Sequence, residues 1–148
     1  MLTAMTRIDF FEVRGPRWDL FLCGLVERAW DAGERVYLWA DSEAEARRLD
    51  ELLWTFRDDA FVPHVLWQRG GEVSDPVAVG WRPGNPNRAT CLALARPAGP
   101  GELAGFPRVI DLAPVDMPDR LGPARERFKA CRDAGLQVFF HRAPPPAA

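Results

Sequence analysis

The sequence predicts an α/β domain built on a mainly parallel sheet, and three observations carry that prediction. Segments rich in β-branched and aromatic residues alternate with segments whose apolar residues recur at helical spacing. Arg35 to Ala40 (RVYLWA) is an almost unbroken apolar run, as a strand covered on both faces requires. Strands joined in this way by helices run parallel, through right-handed crossovers.

Arg7 to Val13 (RIDFFEV) reads as the first strand, stopped by Gly15-Pro16. From Arg17 to Ala32, Leu20, Phe21, Gly24, Leu25, Arg28 and Ala29 recur at helical spacing, and Asp31-Ala32-Gly33 closes a buried helix. After the RVYLWA strand, Asp41 or Ser42 caps a second helix, with Ser42 and Glu45 forming an S-x-x-E capping box. That helix runs to about Leu53, with Ala46, Leu49, Leu52 and Leu53 facing inward. Trp54 to His64 then reads as a polar loop holding three large aromatics, Trp54, Phe56 and Phe61, beside Pro63. That is more exposed apolar surface than a connector needs. Short strands follow at Val65–Gln68, Pro76–Trp81 and Thr90–Leu94, separated by the break Arg69-Gly70-Gly71 and the turn-rich Arg82–Arg88. Pro97 to Gly105 reads as loop, Arg108 to Leu112 as strand and Leu136 to His141 as the last strand. One domain spanning 1–148 is expected, with residues 1–5 a ragged start before and at Met5, and 143–148 a Pro/Ala tail without reason to fold.

Composition removes several functions. A length of 148 residues with 47% hydrophobic and 27% charged content suits one ordinary core. The formal net charge of −2 argues against whole-molecule attraction to nucleic acid or an anionic membrane, so an anion site must be local. With no membrane-spanning apolar run and no basic-then-apolar start, a cytoplasmic protein is expected. Cys23, Cys91 and Cys131 are scattered and read as buried thiols rather than a disulfide framework or zinc site. The turn after the first strand is Gly15-Pro16-Arg17, and G-x-x-x-x-G-K-[ST] occurs nowhere, which disfavours nucleotide binding. Ser42 and Ser74 lie outside any nucleophile pattern, and His64 and His141 have no carboxylate or cysteine at dyad or ligand spacing. Asp58-Asp59, and Asp116 with Asp119, read as solvated loop acids before they read as metal ligands. No catalytic residue, cofactor or metal is therefore assigned.

The richest stretch is Pro123 to Gly135 (PARERFKACRDAG). Pro123 suits a first helical turn, the cations of the second half suit the negative end of the dipole, and Gly135 ends the helix. Leu121, Ala124, Phe128, Cys131 and Gly135 share one face, with Arg125, Lys129 and Arg132 as a basic stripe at its edge. A ring flanked by fixed cations suits a peptide end carrying one apolar side chain and carboxylates. An ordinary surface helix with Phe128 in the core gives the same pattern.

Several stretches carry a resemblance, in order and in spacing. Arg47 to Trp54 (RRLDELLW), Phe61-Val62-Pro63-His64 and Ala124 to Arg132 (ARERFKACR) resemble the chi subunit family of bacterial DNA polymerase III holoenzyme. Phe10-Phe11, Trp30 to Val36 (WDAGERV) and Val109-Ile110-Asp111 with Pro114 extend the match over nearly the whole chain. The resemblance implies a Rossmann-like three-layer domain without catalytic activity, joining the clamp loader to single-stranded DNA-binding protein. It implies that the acidic Pro-Phe tail of that protein binds on the last helix. Arg125, Lys129 and Arg132 would pair with the carboxylates, and an apolar slot at Phe128, Ala124 and Leu121 would take the terminal phenylalanine. The position of Phe128 is commonly tyrosine in the family, and the basic residue expected one turn earlier falls on Arg120 or Leu121. Trp54, Phe61 and Pro63 would form the interface with the psi subunit, with a helicase as an alternative occupant of that surface. Two further readings stand beside this one: a single-stranded nucleic-acid-binding module, and a small enzyme centred on Asp41, where open α/β sheets bind ligands.

Overall fold

The computed structural model describes residues 6–142, so the expected ragged start and the Pro/Ala tail lie outside the described residues. The chain alternates in the expected manner. Strand β1 (Arg7–Val13) leads to helix α1 (Trp18–Asp31), β2 (Val36–Ala40), α2 (Glu43–Thr55), β3 (His64–Leu66), β4 (Val77–Gly80) and β5 (Cys91–Ala95). A four-residue helix α3 (Pro100–Leu103), β6 (Arg108–Pro114), α4 (Pro118–Asp133) and β7 (Gln137–His141) complete it. The seven strands form one sheet in the order β3-β4-β2-β5-β6-β1-β7. Every pairing is parallel.

Two apolar layers sandwich the sheet. Leu22, Val26, Leu49 and Leu53 of α1 and α2 pack with Val36, Leu38 and Ile110 on one face. Leu103 of α3 and Cys131 of α4 pack with Ile8, Phe10, Tyr37 and Val109 on the other. The domain is thus a Rossmann-like three-layer α/β fold. All five residues of β2 are buried, which explains why that strand is apolar on both faces. Gly80 is required where β4 meets this strand, because a Cβ there would lie 2.7 Å from the Tyr37 hydroxyl.

Several boundaries differ from expectation. Helix α4 begins at Pro118 rather than Pro123, which sits inside it. Pro123 removes one amide donor and stays exposed, and the helix continues past it to Asp133. Helix α2 continues through Trp54 to Thr55, so Trp54 belongs to its last turn and not to the loop. Ser42 is the N-cap, its Oγ accepting from Glu45 N at 3.2 Å; Asp41 is not the cap. The capping box is half formed, because the Glu45 carboxylate turns to Arg48 at 2.8 Å. Helix α3 interrupts the expected Pro97–Gly105 loop.

Gly135 does end α4, and the geometry shows how. With φ at 84°, it lets its own N–H reach Arg132 O at 3.0 Å and Leu136 N–H reach Cys131 O at 3.1 Å. This double closure turns the chain directly into β7 and seats Leu136 against the core.

The three cysteines are free and buried. Burial pushes the Cys23 and Cys91 thiols up, which makes them inert. No helix of the described residues is long and apolar enough to cross a membrane.

Candidate functional site

Helix α4 lies against the outer face of β6, β1 and β7, and one cleft opens along its side. Phe10 of β1, Ala113 of β6 and Phe140 of β7 form the sheet wall; Leu121, Ala124, Arg125 and Phe128 form the helix wall. The space is about 200 Å³. The Phe128 ring packs on buried Phe10 with centroids 5.3 Å apart and the planes tilted by 58°. Ala124 and Cys131 are buried beneath the helix, so the face expected from spacing does point inward, while Phe128 and Leu121 are only partly covered. The small Ala124 leaves room between the two larger side chains.

The helix start at Pro118 places both residues that could occupy the position one turn before Arg125. Leu121 lines the cleft. Arg120 points away, its guanidinium over the Trp18 ring at 5.2 Å. The charge that lines the cleft therefore belongs to the half of α4 that begins at Arg125.

Four basic residues follow one another along that half, and they behave differently. Arg127 forks onto the buried Asp111 carboxylate, Nε to Oδ2 at 2.9 Å and Nη2 to Oδ1 at 3.1 Å. Burial raises the Asp111 pKa and Arg127 opposes the rise. Arg125, Lys129 and Arg132 are exposed and have no ion-pair partner among the described residues, although most arginines elsewhere on the surface do. One arginine fastens the helix; three cations remain available to a ligand. Available guanidinium and ammonium groups beside an apolar slot suit carboxylates attached to an aromatic residue.

Phe140 is a site residue that sequence reasoning missed. It is 45% exposed and forms the far wall of the cleft, whereas LQVFFH shows only that consecutive phenylalanines must face opposite sides of a strand. Its neighbour Phe139 lies beneath Arg7, whose Cζ is 4.1 Å from the ring centroid. The wall is pinned by buried Asp9, which accepts from Arg7 at 2.9 Å, from Arg108 at 3.3 Å, and pairs with His141 Nε2 at 2.7 Å. His141 thus gains a carboxylate partner that linear spacing concealed. Burial works to raise the Asp9 pKa, and the hydrogen bonds from Arg7, His141 and Arg108 outweigh it, leaving the carboxyl below its ordinary range.

The second aromatic group also assembles. Trp54 and Phe61 are 46% and 64% exposed, with ring centroids 6.0 Å apart. Trp54 covers the imidazole of His64 at 4.1 Å, and Pro63, partly buried, lies between Phe61 and His64 in the chain. His64 is fixed from both sides, Nδ1 2.6 Å from Val62 O and Nε2 2.8 Å from Asp50 O. Arg57 nearby is satisfied by Asp59 at 2.6 Å and Glu27 at 2.7 Å. This surface presents exposed apolar rings.

Other expectations are placed as follows. Asp41 is exposed and lines a separate pocket at the strand ends. Asp116 accepts from Gly15 N at 2.6 Å, and among the described residues no group of three or more His, Cys, Asp or Glu could hold a metal ion.

Fold and site together define a Rossmann-like domain without the glycine turn of nucleotide enzymes, presenting an aromatic cleft beside cations that have no ion-pair partner among the described residues. The family described as "DNA polymerase III chi subunit, HolC" matches residues 5–139. The chain is 36% identical to the DNA polymerase III subunit chi of Pseudomonas aeruginosa over 143 residues, 95% of this chain and 99% of the relative. It is 34% identical to that of Escherichia coli K12 over 122 residues, 81% of this chain and 82% of the relative. It is 33% identical to the DNA polymerase III subunit chi of Haemophilus influenzae over 118 residues, 78% of this chain and 81% of the relative. The chain belongs to the chi subunit family of DNA polymerase III.

Proposed function

We propose that this chain is a non-catalytic adaptor of DNA replication, linking the clamp loader, through a psi subunit, to the acidic Pro-Phe tail of single-stranded DNA-binding protein. The observation that carries this reading is the α4 cleft: an apolar slot between Phe128 and Phe140, lined by Arg125, with Lys129 and Arg132 farther along the same helix and all three cations without partners among the described residues. The terminal phenylalanine enters the slot, and Arg125, Lys129 and Arg132 pair with the tail's carboxylates. The psi subunit covers Trp54, Phe61 and Pro63, whose exposed rings, beside an Arg57 already paired with Glu27 and Asp59, suit an apolar interface.

The separation of the surfaces favours an adaptor. The patch adjoins β3 and the cleft adjoins β7, the two ends of the sheet order. Six strand spacings of about 4.8 Å put those edges roughly 29 Å apart, so both partners fit at once.

A labelled peptide carrying the acidic Pro-Phe tail, titrated by fluorescence anisotropy, tests the proposal. Binding at roughly micromolar strength, about −8 kcal/mol, is expected, and removal of the last phenylalanine abolishes it. A folded wild type that leaves the peptide free at about 1 mM protein overturns the tail-binding reading.

A further inference from the structure

The cavity at the opposite flank of α4 uses none of the residues that line the tail cleft. It lies at the C-terminal ends of β2, β5 and β6 and measures about 280 Å³. The topology creates it. After β2 the chain leaves through α2 on one face of the sheet towards β3, and after the neighbouring β5 it leaves through α3 on the other face towards β6, so a crevice opens at the ends of these two strands. In parallel α/β sheets such a crossover change is where ligands sit.

The side chains there are preorganised. Arg96 lies over the Trp39 ring at 4.3 Å and donates through Nε to Pro97 O at 2.9 Å; Arg120 lies over Trp18 at 5.2 Å. Neither guanidinium has an ion-pair partner among the described residues, and both line the cavity. A guanidinium laid on an indole loses little freedom when it meets an anion. The Asp111 carboxylate in the wall is already matched by Arg127, so it does not oppose a bound anion. Asp41 and Asp119 are exposed there, without partners among the described residues, and can only accept hydrogen bonds while ionised. Two cations and two acceptors, all without partners among the described residues, describe a ligand that carries both an anionic group and hydrogen-bond donors.

We propose that this pocket binds a small organic phosphate of sugar-phosphate to nucleoside-monophosphate size, its phosphate paired with Arg96 and Arg120 and its hydroxyl groups directed to Asp41. Two cations match a phosphate dianion better than a single carboxylate, and the volume is at the small end of ligand pockets. The Gly15-Pro16-Arg17 turn denies a pyrophosphate the close backbone approach of a dinucleotide site. Side chains replace the backbone cradle here. The inference is independent of the tail-binding proposal.

Titration of the 15N-labelled full chain with ribose 5-phosphate and adenosine monophosphate, followed at the indole N–H signals of Trp18 and Trp39, tests it. Saturable shifts of both signals are expected. Affinity drops about tenfold or more in Arg96→Gln/Arg120→Gln, and free ribose gives no shift. Inorganic phosphate binds more weakly than ribose 5-phosphate, because it offers nothing to Asp41. Absence of saturation at about 10 mM of either phosphate compound, equal binding of inorganic phosphate, or shifts unchanged in a double variant with wild-type unfolding temperature would each overturn the proposal.

Discussion

The two exposed aromatic regions of this domain are built from the same residue types and differ in what surrounds them. At the β7 edge, Phe128 and Phe140 wall a concave slot, and Arg125, Lys129 and Arg132 follow along the same helix without ion-pair partners among the described residues. At the β3 edge, Trp54 and Phe61 form an open surface over a fully engaged His64, and Arg57 is saturated by Glu27 and Asp59. Cations without partners among the described residues mark the first region, whereas Arg57 at the second is paired. On the proposed reading, a partner of the first region would supply carboxylates and a partner of the second apolar area. Their responses to salt, acid and alanine should diverge accordingly.

The largest effect contrasts neighbours on α4. Asp111→Ala strands Arg127, only 17% exposed, and is expected to lower stability by about 3–5 kcal/mol in urea denaturation. Arg125→Ala leaves stability within about 0.5 kcal/mol yet weakens the acidic peptide about tenfold or more. Equal stability losses in the two variants would erase the division of labour between anchor and ligand cations.

Acid provides the next contrast. Asp9 fixes the β7 wall and has a folded-state pKa below its unfolded value, so its stabilisation is fully present above the unfolded pKa and is lost as pH falls through the folded one. Stability measured from pH 5 down to about pH 2 should therefore decline, and Asp9→Asn, starting about 1–3 kcal/mol lower, should decline less steeply. An acid limb as steep in Asp9→Asn as in the wild type would assign the loss to other carboxylates.

Phe128→Tyr gives the smallest effect. The partly exposed ring edge can carry a hydroxyl without overpacking, and one added hydrogen bond would tighten the peptide by about 0.5–1.5 kcal/mol. Isothermal titration resolves this; weaker binding would mean that the cleft accepts only an apolar rim.

The strands were largely legible, because RIDFFEV, RVYLWA and RVIDL combine β-branched residues with apolar runs that tertiary burial then rewards. The start of α4 was not. Gly122-Pro123 imitates a helix entry, and nothing local shows that Pro118 already provides one. Trp54 was misplaced for a related reason: aromatics before Arg57-Asp58-Asp59 look like loop, although packing extends the helix another turn. Helix α3 is too short for periodicity to register. The basic stripe was readable from spacing, but its division was not. Only the fold brings Asp111 under Arg127 and leaves Arg125, Lys129 and Arg132 free. Phe140 was hidden likewise, since strand order alone makes β7 an edge.

The central claim is that the cleft and the patch are separate docking surfaces of different chemistry. It is tested most directly by titrating the labelled acidic Pro-Phe peptide into wild type, Arg125→Ala/Lys129→Ala and Trp54→Ala/Phe61→Ala at about 0.05 and 0.3 M salt, where the screening length falls from about 14 to about 6 Å. Wild-type affinity is expected in the Trp54/Phe61 variant, a loss of about a hundredfold in the Arg125/Lys129 variant, and salt weakening in the wild type that the latter largely lacks. Loss of the peptide in Trp54→Ala/Phe61→Ala with Arg125→Ala/Lys129→Ala unaffected would contradict it.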